Sequence, residues 1–268
     1  MGTSIKLKID QAGEYSVNPA DIDNPDRQDC QAMSQILNVI VKQAMSETGM
    51  LQFGARPRFF DSKNPINVAE LQMQIWNGFK ASAYKYQSGC ALIIDNCSRF
   101  MSTLTVLDRI HALFDEVERD YQGREDHVLV FQDQLRKEMI NSSVIANYGT
   151  KRTYVIKNII YDKGPCSTFF SQPDGTKISV AKYFYQQYNL KVTDKRQPML
   201  ITYQNGREIS LIPEFCLTDG VPDQIRSNSR SMRTLLNQVK QNPEEKMRSI
   251  QKMVQELFGM KKWAEWDI

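Results

Sequence analysis

Tyr183, Phe184, Tyr185 and Tyr188 crowd into the run KYFYQQYNL at residues 182–190. Three of these rings carry a hydroxyl that needs a partner when it is covered. Rings stack on bases and phenol hydroxyls donate to phosphate oxygens, so the chemistry on offer is nucleic-acid capture. The surroundings fit it. Residues 146–217 hold ten Lys/Arg against five Asp/Glu, a net of +5 in a chain whose total is +3, so the remainder is near −2. Cations that follow a backbone beside aromatics that stack on bases are the usual means of holding single strands. The competing reading is a plain apolar core. On a helix Phe184 and Tyr188 are neighbours at i,i+4 and Tyr185 and Tyr188 at i,i+3. Four rings cannot all face one core, so at least one faces outward.

Other chemistries find little material. The sequence has no GxxxxGK[ST] phosphate loop, no GxSxG and no HExxH. The His of GREDH (123–127) has no nucleophile or ligand spacing around it, and the carboxylates of DEVERD (115–120) read as the wet face of a helix. Two histidines and five cysteines without a CxxC point away from a zinc site and toward a reducing, intracellular compartment, cytoplasmic or nuclear. No apolar run approaches the roughly 20 residues of a membrane span, and the N-terminus lacks a signal-peptide core. The chain is expected to need no cofactor or metal, to contact no membrane, and to act as a monomer.

The elements that must position the aromatics follow from pattern. Met33, Ile36, Leu37, Ile40 and Ala44 fall at helical spacing before Gly49. Residues 50–103 read as strands and turns, with Asn77-Gly78 as a turn signal. Leu107, Ile110, Leu113, Phe114 and Val117 stripe a helix over 104–121 with Thr105 as N-cap, and a short helix follows near 129–141. RTYVIKNIIY (152–161) reads as one strand. A tight turn at PDG (173–175) precedes the aromatic helix, which Ser179 caps. Two strands joined at Asn205-Gly206 come next. Two helices close the chain, the second with Asn242 as N-cap and Pro243 at its first position. IKLKI near the N-terminus reads as a strand.

The run RTYVIKNIIYDKGPCSTFFSQPDGTKISVAKYFYQQYNLKVTDKRQPMLI, with SLIPEFC after it, resembles the PAZ domain of Argonaute proteins of the PIWI clade. The matching pieces are Thr153-Tyr154, Ser167-Thr168-Phe169, Asp174-Gly175, the tyrosine helix with QYN, Gln197-Pro198, and Leu211-Ile212-Pro213-Glu214. FFDSKNPINV and LQMQIWNGFKASA resemble the region leading into that domain. TVLDRIHALFDE resembles the entering helix, and LTDGVPDQIRSNSRSM through WAEWDI the start of a second linker. The implied architecture is α+β: an oligonucleotide-binding-like β-barrel with an inserted hairpin-and-helix module, flanked by an α/β linker domain and C-terminal helices. The implied division is 1–103 for the end of an N-terminal domain and first linker, 104–218 for PAZ, and 219–268 for the second linker.

The resemblance implies capture of the 3′ end of a single-stranded, piRNA-like guide RNA, usually 2′-O-methylated, in RNA-mediated silencing. Phe169 would pack on the terminal nucleotide, with Thr168 beside it. Tyr183 and Tyr188 would hydrogen-bond the last phosphates and Tyr154 another. Leu211 and Ile212 would form an apolar wall, and Lys151 and Arg152 the basic approach. Val155 stands where the family often has a cation, and Ser210 where some members have methionine. The family's MID and slicer (PIWI) domains would lie beyond Ile268, so this stretch is expected not to cleave RNA. Two alternatives are a PAZ module of a Dicer-type ribonuclease and a protein-binding scaffold with a degenerate cleft.

Overall fold

The computed structural model describes residues 29–54, 56–86, 89–121, 126–171 and 175–260. The IKLKI strand, most of GREDH, Pro173-Asp174 of the PDG turn and the closing WAEWDI lie outside them. Helix α1 (Asp29–Glu47) precedes the strands β1 (Leu51–Gln52), β2 (Arg58–Phe60), β3 (Ile66–Val68), β4 (Met73–Tyr86) and β5 (Gly89–Thr105), and packs on β4. Val41, Ala44 and Met45 of α1 meet Phe79, Ala81 and Ala83 of β4.

Asn77-Gly78 is not a turn. Both lie in the middle of β4, where Gly78 pairs with Phe60 on one side and Cys97 on the other. A Cβ on Gly78 would stand 2.0 Å from the Phe59 carbonyl oxygen, so glycine serves close backbone approach there. The strand reverses only between Tyr86 and Gly89.

Helix α2 (Val106–Asp120) starts at a capping box. Thr105 accepts from the Asp108 amide and Asp108 accepts from the Thr105 amide. It buries Leu107, Ile110, Leu113 and Val117 as its spacing predicts. Helix α3 (His127–Met139) lies beside it and begins two residues earlier than expected. The two cover a core made by Val144, Ile156, Ile159, Leu200, Leu211 and Cys216.

These come from β6 (Ser143–Ala146), the link between β7 (Thr153–Val155) and β8 (Asn158–Ile160), β8 itself and, after the inserted module, β11 (Met199–Gln204), β12 (Arg207–Leu211) and β13 (Cys216–Asp219). The module is the hairpin β9 (Phe169–Ser171) and β10 (Lys177–Ser179) followed by α4 (Val180–Tyr188). Every pairing is antiparallel. The large sheet runs β1-β2-β4-β5-β13-β6-β7 with β3 on β4, and the small one runs β12-β11-β8. Residues 152–161 are therefore two strands in two sheets. The Ile156 amide bonds to Ser142 and the next amide, on Lys157, bonds to Ile201. The chain changes sheets at this corner, and the antiparallel strands curl around the core.

Strand β11 is buried on both faces. Leu200 enters the core under α2 and α3, whereas Met199 and Ile201 enter a second core with Val180, Phe184, Val192 and Ile212. That second core roots the module on the curled sheet. The remaining helices are α5 (Asp223–Ser227), α6 (Ser229–Asn237) and α7 (Pro243–Phe258), the last begun by an Asn242–Glu245 capping box. Among the described residues no helix is long and apolar enough to cross a membrane.

Candidate nucleic-acid interface

Helix α4 starts where the Ser179 hydroxyl accepts from the Lys182 amide and stops at Asn189 in the left-handed conformation. Nine residues in between are enough to aim Tyr183, Phe184 and Tyr188 at one side. Phe184 is the root, 4% exposed, and stacks on Phe215 at 5.7 Å. Tyr188 lies 5.6 Å from Phe184 and 6.2 Å from Tyr183. Tyr185, 57% exposed, is the ring that faces away.

Two further aromatics join from elsewhere. Tyr148, in the β6–β7 loop, lies 4.9 Å from both Phe184 and Tyr188. Gly149 follows it with φ +55, and a Cβ there would meet the Tyr188 ring at 3.3 Å. Phe170 of β9 meets Tyr183 edge-on at 5.0 Å. The sequence reading singled out neither. A ring directly before a glycine was the available signal for Tyr148, but its partners are set by a loop closing onto a helix roughly 40 residues later.

Three phenols thus converge, Tyr148, Tyr183 and Tyr188, and Tyr154 packs on the neighbouring core under α2 and α3. Burial is the main cause that raises the Tyr148 hydroxyl far above the usual phenol range, and the nearby Cys216, Tyr154, Tyr188 and Tyr183 add to it. Burial also raises Tyr154, against the opposing pull of Arg152. Burial and then Tyr188 raise Tyr183. Phenols shifted this way keep their protons at neutral pH and so remain donors. A cluster of neutral donors suits an acceptor-only anion such as a phosphate diester.

The other predicted residues are spread more widely. Phe169 is 60% exposed on β9 and, as its alternation with Phe170 requires, takes the face away from Tyr183. The Thr168 hydroxyl donates to the Gly164 carbonyl at 2.9 Å, and the Thr168 carbonyl receives the Val180 amide, so this residue ties the module's entry to α4. Leu211 and Ile212 are buried at 1% and 0%. Leu211 belongs to the core under α2 and Ile212 to the core beneath α4. Arg152 is exposed beside Tyr154. Lys151, with φ +50, holds its ammonium 5.2 Å over the Trp76 ring, on the side of the large sheet. Val155 is exposed, and Ser210 is half-buried opposite Ile201. Among the described residues no three His, Cys, Asp or Glu side chains gather to hold a metal.

Residues 114–242 match the PAZ domain family. The chain is 29% identical to Piwi-like protein 1 of Gallus gallus over 227 residues, which is 82% of this chain and 25% of that protein. It is 26% identical to Protein piwi of Drosophila melanogaster over 220 residues, 79% of this chain and 24% of that one. The crystal structure of Drosophila Piwi shares the fold, with a TM-score of 0.57 at 21% identity over 89% of this chain and 28% of that chain. The chain spans about a quarter of the length of the curated relatives it matches.

Proposed function

We propose that this chain, which carries a PAZ domain and is related along most of its length to PIWI proteins, holds the 3′ end of a single-stranded small guide RNA in gene silencing. A PAZ domain is a nucleic-acid-binding module, and the finer assignment rests on one observation: the phenols Tyr148, Tyr183 and Tyr188 meet around Phe184, with Tyr154 and Arg152 near them. Tyr183, Tyr188 and Tyr154 donate to the last phosphates, and Tyr148 completes the group. The resemblance alone assigns Phe169 to the terminal nucleotide, since its ring takes the hairpin face opposite Tyr183, and Thr168 fixes the strand that carries it. Ile212 backs the cleft from beneath α4, and Leu211 braces it from the core behind. Arg152 and Lys151 form the basic approach. The site binds without cleaving and uses no metal.

The proposed division is the one that the resemblance implies, with the binding module over 104–218. The natural ligand is a guide whose last ribose is 2′-O-methylated, and the protein meets it in the cytoplasm or nucleus. Capture of an end reads few or no bases, so affinity is largely independent of sequence.

The test is a fluorescence titration with a short single-stranded RNA, free or 3′-phosphorylated at its end. Binding at ~micromolar Kd that weakens with rising salt is expected for the free end, and clearly weaker binding for the blocked one. Equal affinity for the two ends refutes a 3′-end cleft. A matched 2′-O-methyl and 2′-hydroxyl pair then measures the preference at the terminal sugar.

A further inference from the structure

Outside the ring cluster lies a polar group that touches none of the phenols. Gln197 is only 2% exposed. Its Nε2 donates to the Glu214 carboxylate at 2.9 Å and to the Asp194 carbonyl at 2.8 Å, and its Oε1 accepts the Glu214 amide at 3.0 Å. Glu214 also receives the Thr193 amide on both oxygens, at 3.1 and 3.0 Å. Two side chains therefore bind two loops together. One is the stretch from α4 to β11, which ends the inserted module. The other is the 3-10 turn Pro213–Phe215 on the curled sheet.

That turn sets the floor of the cleft. Ile212 precedes it in the core under α4, and Phe215 stacks on Phe184. The Phe215 carbonyl accepts the amide of Asn147, next to Tyr148, at 2.8 Å. A third loop rests on the same place. A Cβ on Gly164 would stand 2.5 Å from the Lys195 carbonyl oxygen, so the segment leading to Thr168 and Phe169 lies directly against the residues that Gln197 anchors. The segment leading to the hairpin, the helix exit and the turn on the sheet all come together around Gln197 and Glu214.

We infer that the buried Gln197 and the half-buried Glu214 form a latch that holds the inserted module at a fixed distance from the curled sheet, so that the two are positioning residues for the RNA end. The inference rests on the 3′-end reading of the cleft. A buried amide whose groups are engaged by a half-buried carboxylate and two backbone groups fixes the geometry between the segments that supply them. The latch thus makes the difference between a free and a blocked 3′ end its most sensitive readout.

The experiment measures both RNA ends on the wild type, Glu214→Gln, Gln197→Glu and the swapped pair Gln197→Glu/Glu214→Gln, with thermal melts of each. Glu214→Gln keeps the shape but loses an acceptor, and is expected to weaken free-end binding by about threefold to tenfold and to shrink the free-to-blocked ratio while the protein stays folded. Gln197→Glu sets two carboxylates together and is expected to lose more. The swap restores one amide–carboxylate bond and should recover part of the loss. Folded variants with unchanged affinity and ratio overturn the latch. So does unfolding of both single variants, which makes the pair an element of global stability. So does a swap that recovers nothing. A wild type that ignores the state of the 3′ end instead refutes the reading of the cleft, and is recognised before any variant is compared.

Discussion

Two aromatic clusters in this molecule are built from similar residues and differ in what surrounds their rings. Phe53, Phe60 and Trp76 are buried at 8%, 4% and 2%. Their faces are already occupied by cations of the chain itself. The Arg99 guanidinium stands 4.2 Å from the Phe53 centroid and 5.8 Å from that of Phe60, and Lys151 stands 5.2 Å from Trp76. Arg99 also bonds both Asp219 oxygens, at 2.9 and 2.7 Å, and the Thr153 hydroxyl at 3.2 Å. This cluster ties β5 to β13 and β7 through Arg99. The other cluster packs ring edge to ring face around Phe184 and presents hydroxyls. Aromatics beside cations are thus ambiguous by composition. A joint and a binding site separate only by whether the cations and donors are spent within the chain.

Several measurements can break or sharpen this contrast. The largest effect is expected from Trp76→Ala, which empties a core position and should cost about 3–5 kcal/mol in urea unfolding. RNA affinity of the protein that remains folded should change little, and a parallel loss would mean that the two clusters act as one. Tyr188→Phe keeps the ring against Tyr148 and Phe184 and removes only the hydroxyl. It should weaken free-end RNA binding by about tenfold, the share of a hydrogen bond to a charged group, with a small change in melting temperature. A melt without an affinity loss would return Tyr188 to the core.

The cations divide more finely. Arg152→Met should lower the slope of log affinity against log salt by about 1. Lys151→Met should lower it less while reducing thermal stability, because that ammonium is held over Trp76. Equal slopes would deny the division. The last expectation leaves neutral pH untouched. Tyr148, Tyr154 and Tyr183 are raised above the unfolded phenol value of about 10. Their contribution to stability is therefore complete below that pH and is lost as pH rises through the folded values. Phenolate absorbance should lag behind that of exposed tyrosines and rise with loss of the near-ultraviolet circular dichroism. Ionisation of all tyrosines together, with the fold intact, would contradict the burial of the cluster.

The caps and the α2 stripe were legible in the chain, whereas α1 buries Val41 and Met45 beside Ala44 and leaves Ile36 exposed. Thr105, Ser179 and Asn242 start the helices they were expected to start, and Leu107, Ile110, Leu113 and Val117 point inward. Those features depend on residues three or four apart. The Asn77-Gly78 turn and the single strand at 152–161 failed for the opposite reason. Gly78 answers to the backbone of Phe59, and the break at Ile156 answers to Ser142 on one side and Ile201 on the other.

The candidate site divides in the same way. By itself the sequence determined that α4 would carry more rings than one core could use, that the segment around it would be basic, and which family it resembles. Helical period and residue type carry that information locally. Only the tertiary structure decided that Tyr185 turns away, that Tyr148 and Phe170 enter the cluster, and that Lys151 sits on Trp76. It also placed Gln197 and Glu214 together between three loops. Each of those outcomes requires two segments far apart in the chain to close on one another. The ring or charge that ends up spent, and the one left free, is settled by that closure.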